Sequence, residues 1–430
     1  MKEYLRQLPT ELKKIIGLAA KVSGETRMPA YLVGGCLRDL ILKVSNLDLD
    51  IAVEGDGIVF ARHLGHALKA KITIHERFMT ATLTLASGLK VDIATTRQER
   101  YPGFAALPVV SPGSLIEDLK RRDFTINALA VRILKAKEER IIDPFGGQSD
   151  LISGRVRVLH DLSFKDDPTR ILRAIRFSRR FNFRIEPKTL RLIKESIAEG
   201  WLEKVSPHRM RDELILMLKE KEALRPLNML ADLGGLSFIQ AKLKIDQSTR
   251  VLFRSATKEI NWFVKNFPTR RRLDGWLIYL AVILKNLSLV QIETVIARLG
   301  LRNGEQKRVL SYYRTGAKLI ACLNKKHLKP ERVFSLLEPL SYETIILLSA
   351  SCRSKECKKH LKNFFEIYNG MRLCVSGRDL GGLGVLPGPA YQRIFAKVLT
   401  AKLNGQVKNR LTELALIKKL VQIDKKKRSV

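Results

Sequence analysis

The order of apolar and polar positions divides the chain into an N-terminal part that mixes helical and strand-like patterns and a longer part that is almost wholly helical. Apolar residues at helical spacing over Glu3–Val22 predict an amphipathic helix, and Ile58–Ala70 predicts a second one. β-Branched and alternating apolar runs predict three strands, at Lys71–His75, Thr80–Leu85 and Leu89–Thr95. The first part of the chain is therefore expected to be an α+β domain.

No sustained period marks Arg97–Leu119, the segment after the third strand. Its three prolines and two glycines predict a loop that can move. A helix start is expected within Lys120–Leu129, followed by a hairpin over Ala130–Leu134 and Arg140–Ile142. Beyond the hairpin the pattern is helical. The predicted helices include Ser206–Leu218, Ala223–Asp232, Arg250–Phe267, Trp276–Asn286 and Leu289–Gly300.

The first candidate for chemistry is a pair of aspartates that follows a glycine turn. Asp48 and Asp50 are separated by one residue on an expected strand, so their carboxylates lie on the same face. Two adjacent carboxylates favour a hard cation such as Mg²⁺, which takes further ligands from water and substrate phosphates. Upstream, Gly34 and Gly35 let the backbone approach a phosphate, and Arg38 follows on the next helix.

A solvated pair of aspartates on an edge strand is the alternative, because Asp-x-Asp alone is a common sequence. Asp92, at the centre of the third predicted strand, could approach the pair if the strands are neighbours, and a surface aspartate is an equally good interpretation. The sequence Gly-Gly-x-x-Arg-Asp at a fixed distance before the pair favours a magnesium-nucleotide site.

A second cluster is expected at the helix start within Lys120–Leu129. Arg122, Asp123 and Asn127 gather there, and a helix N-terminus favours phosphate binding. In the alternative interpretation, Asp123 only caps the helix and Asn127 is satisfied by the backbone.

A third cluster lies on one helix stripe. Asp167, Arg170, Arg173 and Arg176 recur every three residues, with acids only at the N-terminal end. A solvated charged face is the usual interpretation, but three guanidinium groups on one face require an anion. An aspartate offers acceptors and an arginine offers donors, and the edge of a nucleic-acid base needs both.

A structural ion pair is expected farther along, on the predicted helix Ser206–Leu218. Glu213 follows Arg209 by four residues, so the two side chains can meet on one face of that helix. We expect this pair to support the helix and to take no part in chemistry.

Composition narrows the class of partner. The 430 residues are enough for roughly two to four domains. The formal net charge of +35, from 78 Lys+Arg against 43 Asp+Glu, indicates a polyanionic partner. Basic residues are spread along the whole chain and are not gathered at one amphipathic helix, so folded RNA is favoured over an anionic membrane.

The cysteines and the apolar runs indicate the compartment. Five cysteines, odd in number and irregularly spaced, argue against a disulfide framework, and Cys352 and Cys357 are expected to be ordinary thiols. The sequence has no signal-peptide pattern and no apolar run long enough to span a bilayer. A cytoplasmic protein without a membrane partner is expected.

Taken in order, these motifs resemble those of the class II tRNA nucleotidyltransferase (CCA-adding) and poly(A) polymerase family of the polymerase β superfamily. The matching sequences are GGCLRD with DLD, RRDFTINAL, DDPTRILRAIRF, SPHRMRDEL and GRDLGGLGVLPGP. The resemblance implies an α+β fold: a polymerase-β-like nucleotidyltransferase head with a mixed sheet and helices, then an all-α neck, body and tail. The expected bounds are 1–136 for the catalytic head, 137–204 for the neck, 205–300 for the body and 301–430 for the tail. Body and tail would bind tRNA.

The resemblance also implies residue roles. Asp48 and Asp50 would hold the metal, Mg²⁺, that activates the tRNA 3′-hydroxyl, with Asp92 as a third candidate catalytic carboxylate. Asp123 and Asn127 would recognise the ribose 2′-hydroxyl. The expected nucleotide-binding residues are Gly34, Gly35, Arg38, Arg122, Asp123, Asn127, Asp167, Arg170, Arg173 and Arg176. Within this set, Asp167 and Arg170 would read the base.

The expected function is template-independent addition of C and/or A to the tRNA 3′ end from CTP and ATP. An enzyme restricted to CC or to A, a poly(A) polymerase and a non-catalytic RNA-binding relative are the open alternatives. Two departures from the family pattern bear on the subtype. Asp166 stands where a glutamate is more common, and RYPGFAALPVVSPGS replaces the acidic and arginine-rich loop of many CCA-adding members. The subtype and the oligomeric state are left open.

Overall fold

A computed structural model describes residues 8–44, 48–134 and 140–428 of the chain. The chain divides between Lys242 and Leu243 into two compact units. The first unit contains a mixed sheet with helices, and every described element of the second unit is a helix. The expected α+β fold class is thereby confirmed. The finer division after residues 136, 204 and 300 stays a prediction, and its first boundary lies outside the described residues.

All described strands belong to the first unit. They are β1 (Ala30–Val33), β2 (Leu49–Val53), β3 (Lys71–His75), β4 (Thr80–Thr84), β5 (Lys90–Thr95), β6 (Arg97–Arg100), β7 (Val109–Pro112), β8 (Ala130–Arg132), β9 (Ile141–Ile142), β10 (Arg155–Val156) and β11 (Arg184–Ile185). The predicted strands and the predicted hairpin are present with ends shifted by only one or two residues.

One helix of the first unit precedes β1, and its other helices lie between and after the strands. They are α1 (Thr10–Thr26), α2 (Gly35–Ile41), α3 (Gly57–Leu68), α4 (Leu115–Lys120), α5 (Gly147–Ile152), α6 (Ser163–Asp166), α7 (Thr169–Arg180), α8 (Pro187–Ala198), α9 (Trp201–Lys204), α10 (Pro207–Leu218) and α11 (Leu224–Asp232). The predicted start of the first helix at Glu3 lies outside the described residues, and α1 follows directly after Pro9.

The main sheet has the strand order β3-β4-β5-β2-β1-β8-β9. Its only parallel pair among the described strands is β2 with β5, and this pair places Asp50 directly beside Asp92. The other neighbouring pairs are antiparallel. Two carboxylates that are far apart in the sequence thus become neighbours through the strand order.

The apolar pattern of each strand reflects how it is covered. All four residues of β1 are buried, as expected for a central strand with protein on both faces. Strand β3, at the edge, alternates between exposed and half-buried positions. Helix α3 packs against β4 and β5 with Phe60 and Leu64 fully buried, and α1 packs on α3.

Arg97–Leu119 is not the loop that its composition predicts. It forms the antiparallel strands β6 and β7, followed by α4, whose Ser114 and Glu117 make a capping box. The sequence of β6, Arg-Gln-Glu-Arg, has no apolar alternation, so its pattern does not predict a strand. Ion pairs stabilise it instead, because the Glu99 carboxylate lies 3.1 Å from Arg97 and 2.7 Å from Arg121. Within this segment, only residues 101–108, here called the β6–β7 connection, and residues 113–114 before α4 lack a helix or strand.

The helix start expected within Lys120–Leu129 is also wrong. Helix α4 ends at Lys120, and a short 3₁₀ turn, Thr125–Asn127, follows before β8. Arg122 and Asp123 therefore lie between two elements and not at a helix N-terminus. The turn is fixed by a buried hydrogen bond of 2.7 Å from Thr125 Oγ1 to Asp150 of α5.

The second unit is helical, as its sequence pattern predicts. Its helices are α12 (Gln247–Asn266), α13 (Gly275–Leu284), α14 (Leu289–Arg298), α15 (Asn303–Leu323), α16 (Pro330–Leu337), α17 (Tyr342–Ser351), α18 (Lys355–Asn363), α19 (Gly377–Gly381), α20 (Pro389–Leu403) and α21 (Arg410–Arg428), with a π-helical turn at Phe364–Tyr368. Aromatic rings of Phe263, Tyr342 and Phe365 pack together with centroids 5.0–5.6 Å apart. They join α12, α17 and the π-helical turn.

Cys352 and Cys357 form a disulfide, which corrects the expectation of two ordinary thiols. Cys352 ends α17 and Cys357 lies in the first turn of α18, so the short connection between the helices brings their Cα atoms to 6.5 Å. Among the described helices no single one is long and apolar enough to cross a membrane, although the bent pair α16 and α17 has the necessary length and composition.

Candidate active site

The site begins at the glycine turn between β1 and α2. Gly34 adopts φ 66°, a left-handed conformation that strongly favours glycine, and it directly precedes the helix that starts at Gly35. A Cβ atom at Gly34 would overlap the Arg122 guanidinium group. A Cβ atom at Gly35 would lie 3.9 Å from the Asp50 carboxylate. The turn and the aspartates are therefore neighbours, as the sequence predicts.

Three aspartates stand near the N-terminal ends of the neighbouring central strands β2 and β5. Asp48 is exposed and directly precedes β2, Asp50 is half-buried on β2, and Asp92 lies beside Asp50 on β5. Burial raises the pKa of Asp50 to about 6; the Arg122 guanidinium opposes this rise, while Asp92 and Asp48 add to it. The neighbouring carboxylates repel each other, so a cation between them would stabilise this part of the sheet.

The donor set fits a magnesium ion that borrows ligands from its substrate. Residues 8–44, 48–134 and 140–428 contain no group of three or more His, Cys, Asp or Glu side chains that could hold a metal by themselves. Mg²⁺ usually binds through one or two carboxylates and takes its remaining ligands from water and phosphates. Asp48 and Asp50 supply such a pair.

A cavity of about 610 Å³ opens in front of these aspartates. It is lined by eleven of the predicted site residues: Gly35, Arg38, Asp48, Asp50, Arg122, Asp123, Asn127, Asp167, Arg170, Arg173 and Arg176. Gly34 and Asp92 lie next to members of this lining. The fold thus brings the three sequence clusters to one place, although their roles stay predictions.

Arg38 is a buried link between the glycine turn and α7. Its Nε atom donates to Asp39 at 2.8 Å and its Nη1 atom donates to Asn127 Oδ1 at 2.5 Å. Its guanidinium group lies 4.9 Å from the ring centroids of both Phe177 and Phe181. These contacts fix one wall of the cavity.

The Asp123 carboxylate is held from three sides. Oδ1 accepts hydrogen bonds from the Phe124 backbone N–H and from Asn127 Nδ2, and Oδ2 accepts from Arg173 Nε at 2.8 Å. Burial alone would raise the pKa of Asp123, but the Arg173 guanidinium and the Asn127 hydrogen bond outweigh it and hold the pKa at about 2. Asp123 is therefore a fixed anion that faces the cavity.

Arg173 and Arg176 pair with one acid on α10 and with a second acid just after this helix. The Glu213 carboxylate of α10 lies 3.0 Å from Arg173 and 3.5 Å from Arg176, and Glu220 lies 3.5 Å from Arg176. The expected pair of Glu213 with Arg209 is therefore wrong, because contacts between helices compete with spacing along one helix. Arg209 instead lies 2.8 Å from Asp167.

Asp167 and Arg170 lie at the start of α7, at another part of the cavity wall. Asp167 Oδ1 accepts from the Thr169 backbone N–H at 3.0 Å, which fixes its carboxylate together with Arg209. Arg170 is only 5% exposed and donates to the Ser163 hydroxyl at 2.7 Å. An acceptor and a donor, each held by its own partners, thus both line the cavity.

Sequence reasoning does not assign every cavity-wall or supporting residue to the site, and the missed ones include Glu99, Tyr101, Arg121 and Arg209. Glu99 and Tyr101 belong to the segment that composition assigns to a loop, and Arg121 carries no periodic signal. Arg209 is visible as a charged helix residue, but its partner lies on another element. Local pattern contains no information on these contacts.

The fold and this cavity define the class of protein, a nucleotidyltransferase with a polymerase-type head. A family model for the poly A polymerase head domain matches residues 30–157, and a model described as the probable RNA and SrmB-binding site of polymerase A matches residues 182–246. The first match overlaps residues 30–136 of the predicted head, whose bounds stay a prediction.

Known relatives identify the family more closely. An A-adding tRNA nucleotidyltransferase of Halalkalibacterium halodurans is 32% identical over 93% of this chain and 89% of its own length. One of Geobacter sulfurreducens is 34% identical over 96% of this chain, which spans only 48% of that relative. The structure of a Thermotoga maritima CCA-adding enzyme complexed with tRNA is 33% identical, covers 98% of both chains and has a TM-score of 0.72. The chain belongs to the tRNA nucleotidyltransferase family.

Proposed function

We propose that this chain adds nucleotides to the 3′ end of tRNA without a template, using CTP, ATP or both. The observation that carries the proposal is the convergence of three chemically distinct pairs on one cavity: Asp48 with Asp50, Asp123 with Asn127, and Asp167 with Arg170. A metal site, a ribose contact and a base-reading edge are the parts that such a reaction needs.

Base selection follows from hydrogen-bond polarity. Cytosine and adenine each present an exocyclic amino donor beside a ring-nitrogen acceptor, whereas uracil and guanine present the opposite order. A carboxylate can accept from the amino group while a guanidinium group donates to the ring nitrogen. Asp167 and Arg170 therefore suit C and A and reject U and G. The protein itself replaces a template strand.

The chemical step needs positioning and charge neutralisation more than covalent catalysis. Asp48 and Asp50 would hold Mg²⁺, which when bound activates the tRNA 3′-hydroxyl and offsets triphosphate charge. Asp92 would support this pair from its position beside Asp50. Gly34, Gly35, Arg38 and Arg122 would line the phosphate path. Arg173 and Arg176 would hold the triphosphate or the base.

Ribose selection is assigned to Asp123 and Asn127. Their side chains are hydrogen-bonded to each other at 2.8 Å and face the cavity as one unit. A ribose 2′-hydroxyl can donate to the carboxylate, and a deoxyribose cannot. The high net charge of +35 supports tRNA as the acceptor, and such a substrate supports a cytoplasmic location.

Within this chemistry, addition of the terminal A alone is the favoured subtype. The relatives from Halalkalibacterium and Geobacter are named A-adding, and they align with nearly the whole chain. The ordered β6 and β7 strands support the same subtype, since they leave only residues 101–108 between them without regular structure, where many CCA-adding members carry a mobile loop.

A nucleotide-by-nucleotide assay tests the proposal. Purified chain with Mg²⁺ is given tRNA ending at the discriminator base, tRNA ending in CC, and an unrelated RNA, each with a single nucleoside triphosphate. Incorporation of A only onto tRNA ending in CC is the expected result. Addition of C to the shorter tRNA would instead show CC or full CCA addition. Long A tracts on the unrelated RNA would replace the proposal by a poly(A) polymerase.

A further inference from the structure

Hydrogen-bond polarity separates C and A from U and G, but it does not separate C from A. Both bases present the same donor and acceptor in the same order, and they differ in how far this edge lies from the sugar, because adenine carries an additional ring. A site that prefers one of the two bases must therefore hold the side chains that contact the base edge at one distance from the sugar, here called the depth. The depth of the Arg170 guanidinium group depends on the groups that hold Arg170 in place.

Arg170 is held by three hydrogen bonds from three different segments. Nη1 donates to the Ser163 hydroxyl at 2.7 Å, and Nη2 donates to the Arg121 carbonyl oxygen at 2.8 Å and to the Tyr101 hydroxyl at 3.3 Å. Ser163 belongs to α6, which directly precedes α7, and Arg121 follows α4. Tyr101 is the first residue of the β6–β7 connection, the least regular of the three segments.

The direction of the Tyr101 hydroxyl is itself fixed. It donates to Glu99 Oε2 at 3.1 Å, so a lone pair on the same oxygen is directed at Arg170. Glu99 Oε1 accepts from Arg97 and Arg121, which holds the carboxylate in place. Burial raises the pKa of Tyr101, so its hydroxyl stays protonated and neutral.

The same connection is also attached at two other points. The Ala105 backbone N–H donates to the Lys165 carbonyl at 2.8 Å, and the Ala105 carbonyl accepts from Arg209, whose guanidinium group also contacts Asp167. The Phe104 ring packs edge-on against Trp201 with centroids 5.2 Å apart. These contacts attach the β6–β7 connection to α6, to α9 and to Arg209 of α10.

We propose that Tyr101 is a positioning residue for base selection: its hydroxyl, oriented by Glu99, sets the depth of the Arg170 guanidinium and thereby the choice between C and A. The inference rests on the proposed function, since it takes Arg170 as a base-reading group. Tyr101 acts through Arg170 and is not itself a catalytic residue.

The test is Tyr101→Phe, which removes the hydroxyl and keeps the ring. Its matched control is Tyr31→Phe, which removes a hydroxyl bonded at 2.8 Å to Glu54 on the same head. Steady-state kinetics with ATP and with CTP give kcat/KM for each nucleotide. The preference is the kcat/KM for the preferred nucleotide divided by the kcat/KM for the other one. We expect this preference to fall about tenfold in Tyr101→Phe, since one hydrogen bond to a charged group is lost. The control keeps the wild-type ratio.

Two further measurements separate positioning from folding and from the proposed reaction. A thermal midpoint equal to that of the control, together with the altered ratio, supports positioning; an equal loss of activity with both nucleotides would overturn it. Equilibrium binding of ATP and CTP is compared in wild type and Tyr101→Phe. If the wild type incorporates nothing, the proposed function fails, and the positioning role is then decided by binding preference: a shifted preference supports it and an unshifted one refutes it.

Discussion

Asp50 and Asp92 are paired side by side in the parallel strands β2 and β5. Burial and the nearby carboxylates raise the pKa of Asp50 to about 6, although Arg122 opposes the rise. Thr82 Oγ1 donates to Asp92 at 2.6 Å, and this hydrogen bond does not remove the repulsion. The repulsion between these carboxylates therefore destabilises the folded protein, and a bound cation would relieve it, so stability and function oppose each other here.

We predict that Asp50→Asn abolishes nucleotide incorporation and stabilises the metal-free protein. The folded-state pKa of Asp50 lies above its unfolded value of 3.8, so the folded state binds the proton more strongly. The carboxylate thus costs stability once the pH rises above the unfolded value, and this cost is complete above about pH 6. We expect the variant to gain about 1 kcal/mol at pH 7.5 in EDTA, or about 2–4 °C in thermal midpoint.

Magnesium and pH provide the controls for that variant. The gain in thermal midpoint should shrink as the pH falls from 7 towards 4, because the wild-type carboxylate becomes protonated. Added Mg²⁺ should raise the midpoint of the wild type more than that of Asp50→Asn. An equal response of both proteins to Mg²⁺ would contradict the assignment of Asp50 as a metal ligand.

Gly34→Ala is predicted to destabilise the head and to reduce activity strongly. The residue has φ 66°, and its new methyl group would meet the Arg122 guanidinium group, so both backbone and side chain must move. A loss of about 2 kcal/mol is expected from the strained conformation. Urea unfolding and incorporation assays measure the two effects.

The matched substitution is Gly17→Ala in the middle of α1. A methyl group there would meet no atom within 4 Å among the described residues, and alanine favours a helix. This variant should gain about 0.5–1 kcal/mol and keep its activity. If both glycine variants behaved alike, the left-handed turn would not be the reason for Gly34.

The regular strands could be predicted because their apolar alternation is local. Strand β6 could not, since its residues are charged and its order depends on Glu99 reaching Arg121 of another element. The sequence predicted that Asp92 would approach Asp50 only if their strands were neighbours, because strand order is a property of the whole sheet. The pairing of Cys352 with Cys357 likewise depends on a turn between helices that spacing alone does not fix.

The sequence allowed most residues of the candidate site to be predicted, but it did not predict which of them pair with each other. Asp123, Arg173 and Glu213 form one continuous chain of ion pairs that joins the segment after α4 to α7 and α10. Their charges are visible in the sequence, but helical spacing assigns Glu213 to Arg209, and the three-dimensional packing assigns it to Arg173. Partners on separate elements compete with partners one turn away, and only the fold decides between them.

Asp123→Asn is predicted to relax ribose selection and to lower stability. The amide keeps the shape of the side chain but loses the charge that holds Arg173. Competition between ATP and dATP should show a smaller preference for ATP, by about tenfold. The folded-state pKa of Asp123, about 2, lies below the unfolded value of 3.8, so its stabilisation is present above about pH 4 and is lost as the pH falls through 2.

The stability difference between wild type and Asp123→Asn should therefore be largest near neutral pH and should decrease in acid. Thermal midpoints at pH 7, 5 and 3 test this dependence. An unchanged ATP preference together with reduced stability would leave Asp123 as a structural anion and would remove it from ribose recognition.

Glu213→Ala is predicted to lose about 3 kcal/mol of unfolding free energy and to raise the KM for nucleotide. The change leaves Arg173 and Arg176 without a carboxylate that is only 14% exposed, and breaking a buried ion pair from one side is strongly destabilising.

Glu222→Ala is the matched control, since Glu222 is 65% exposed and pairs only with Arg225 in the described structure. That variant should stay within about 0.5 kcal/mol of wild type. Urea denaturation of both proteins measures the difference, and equal stability of the two variants would show that the arginines of α7 do not depend on Glu213.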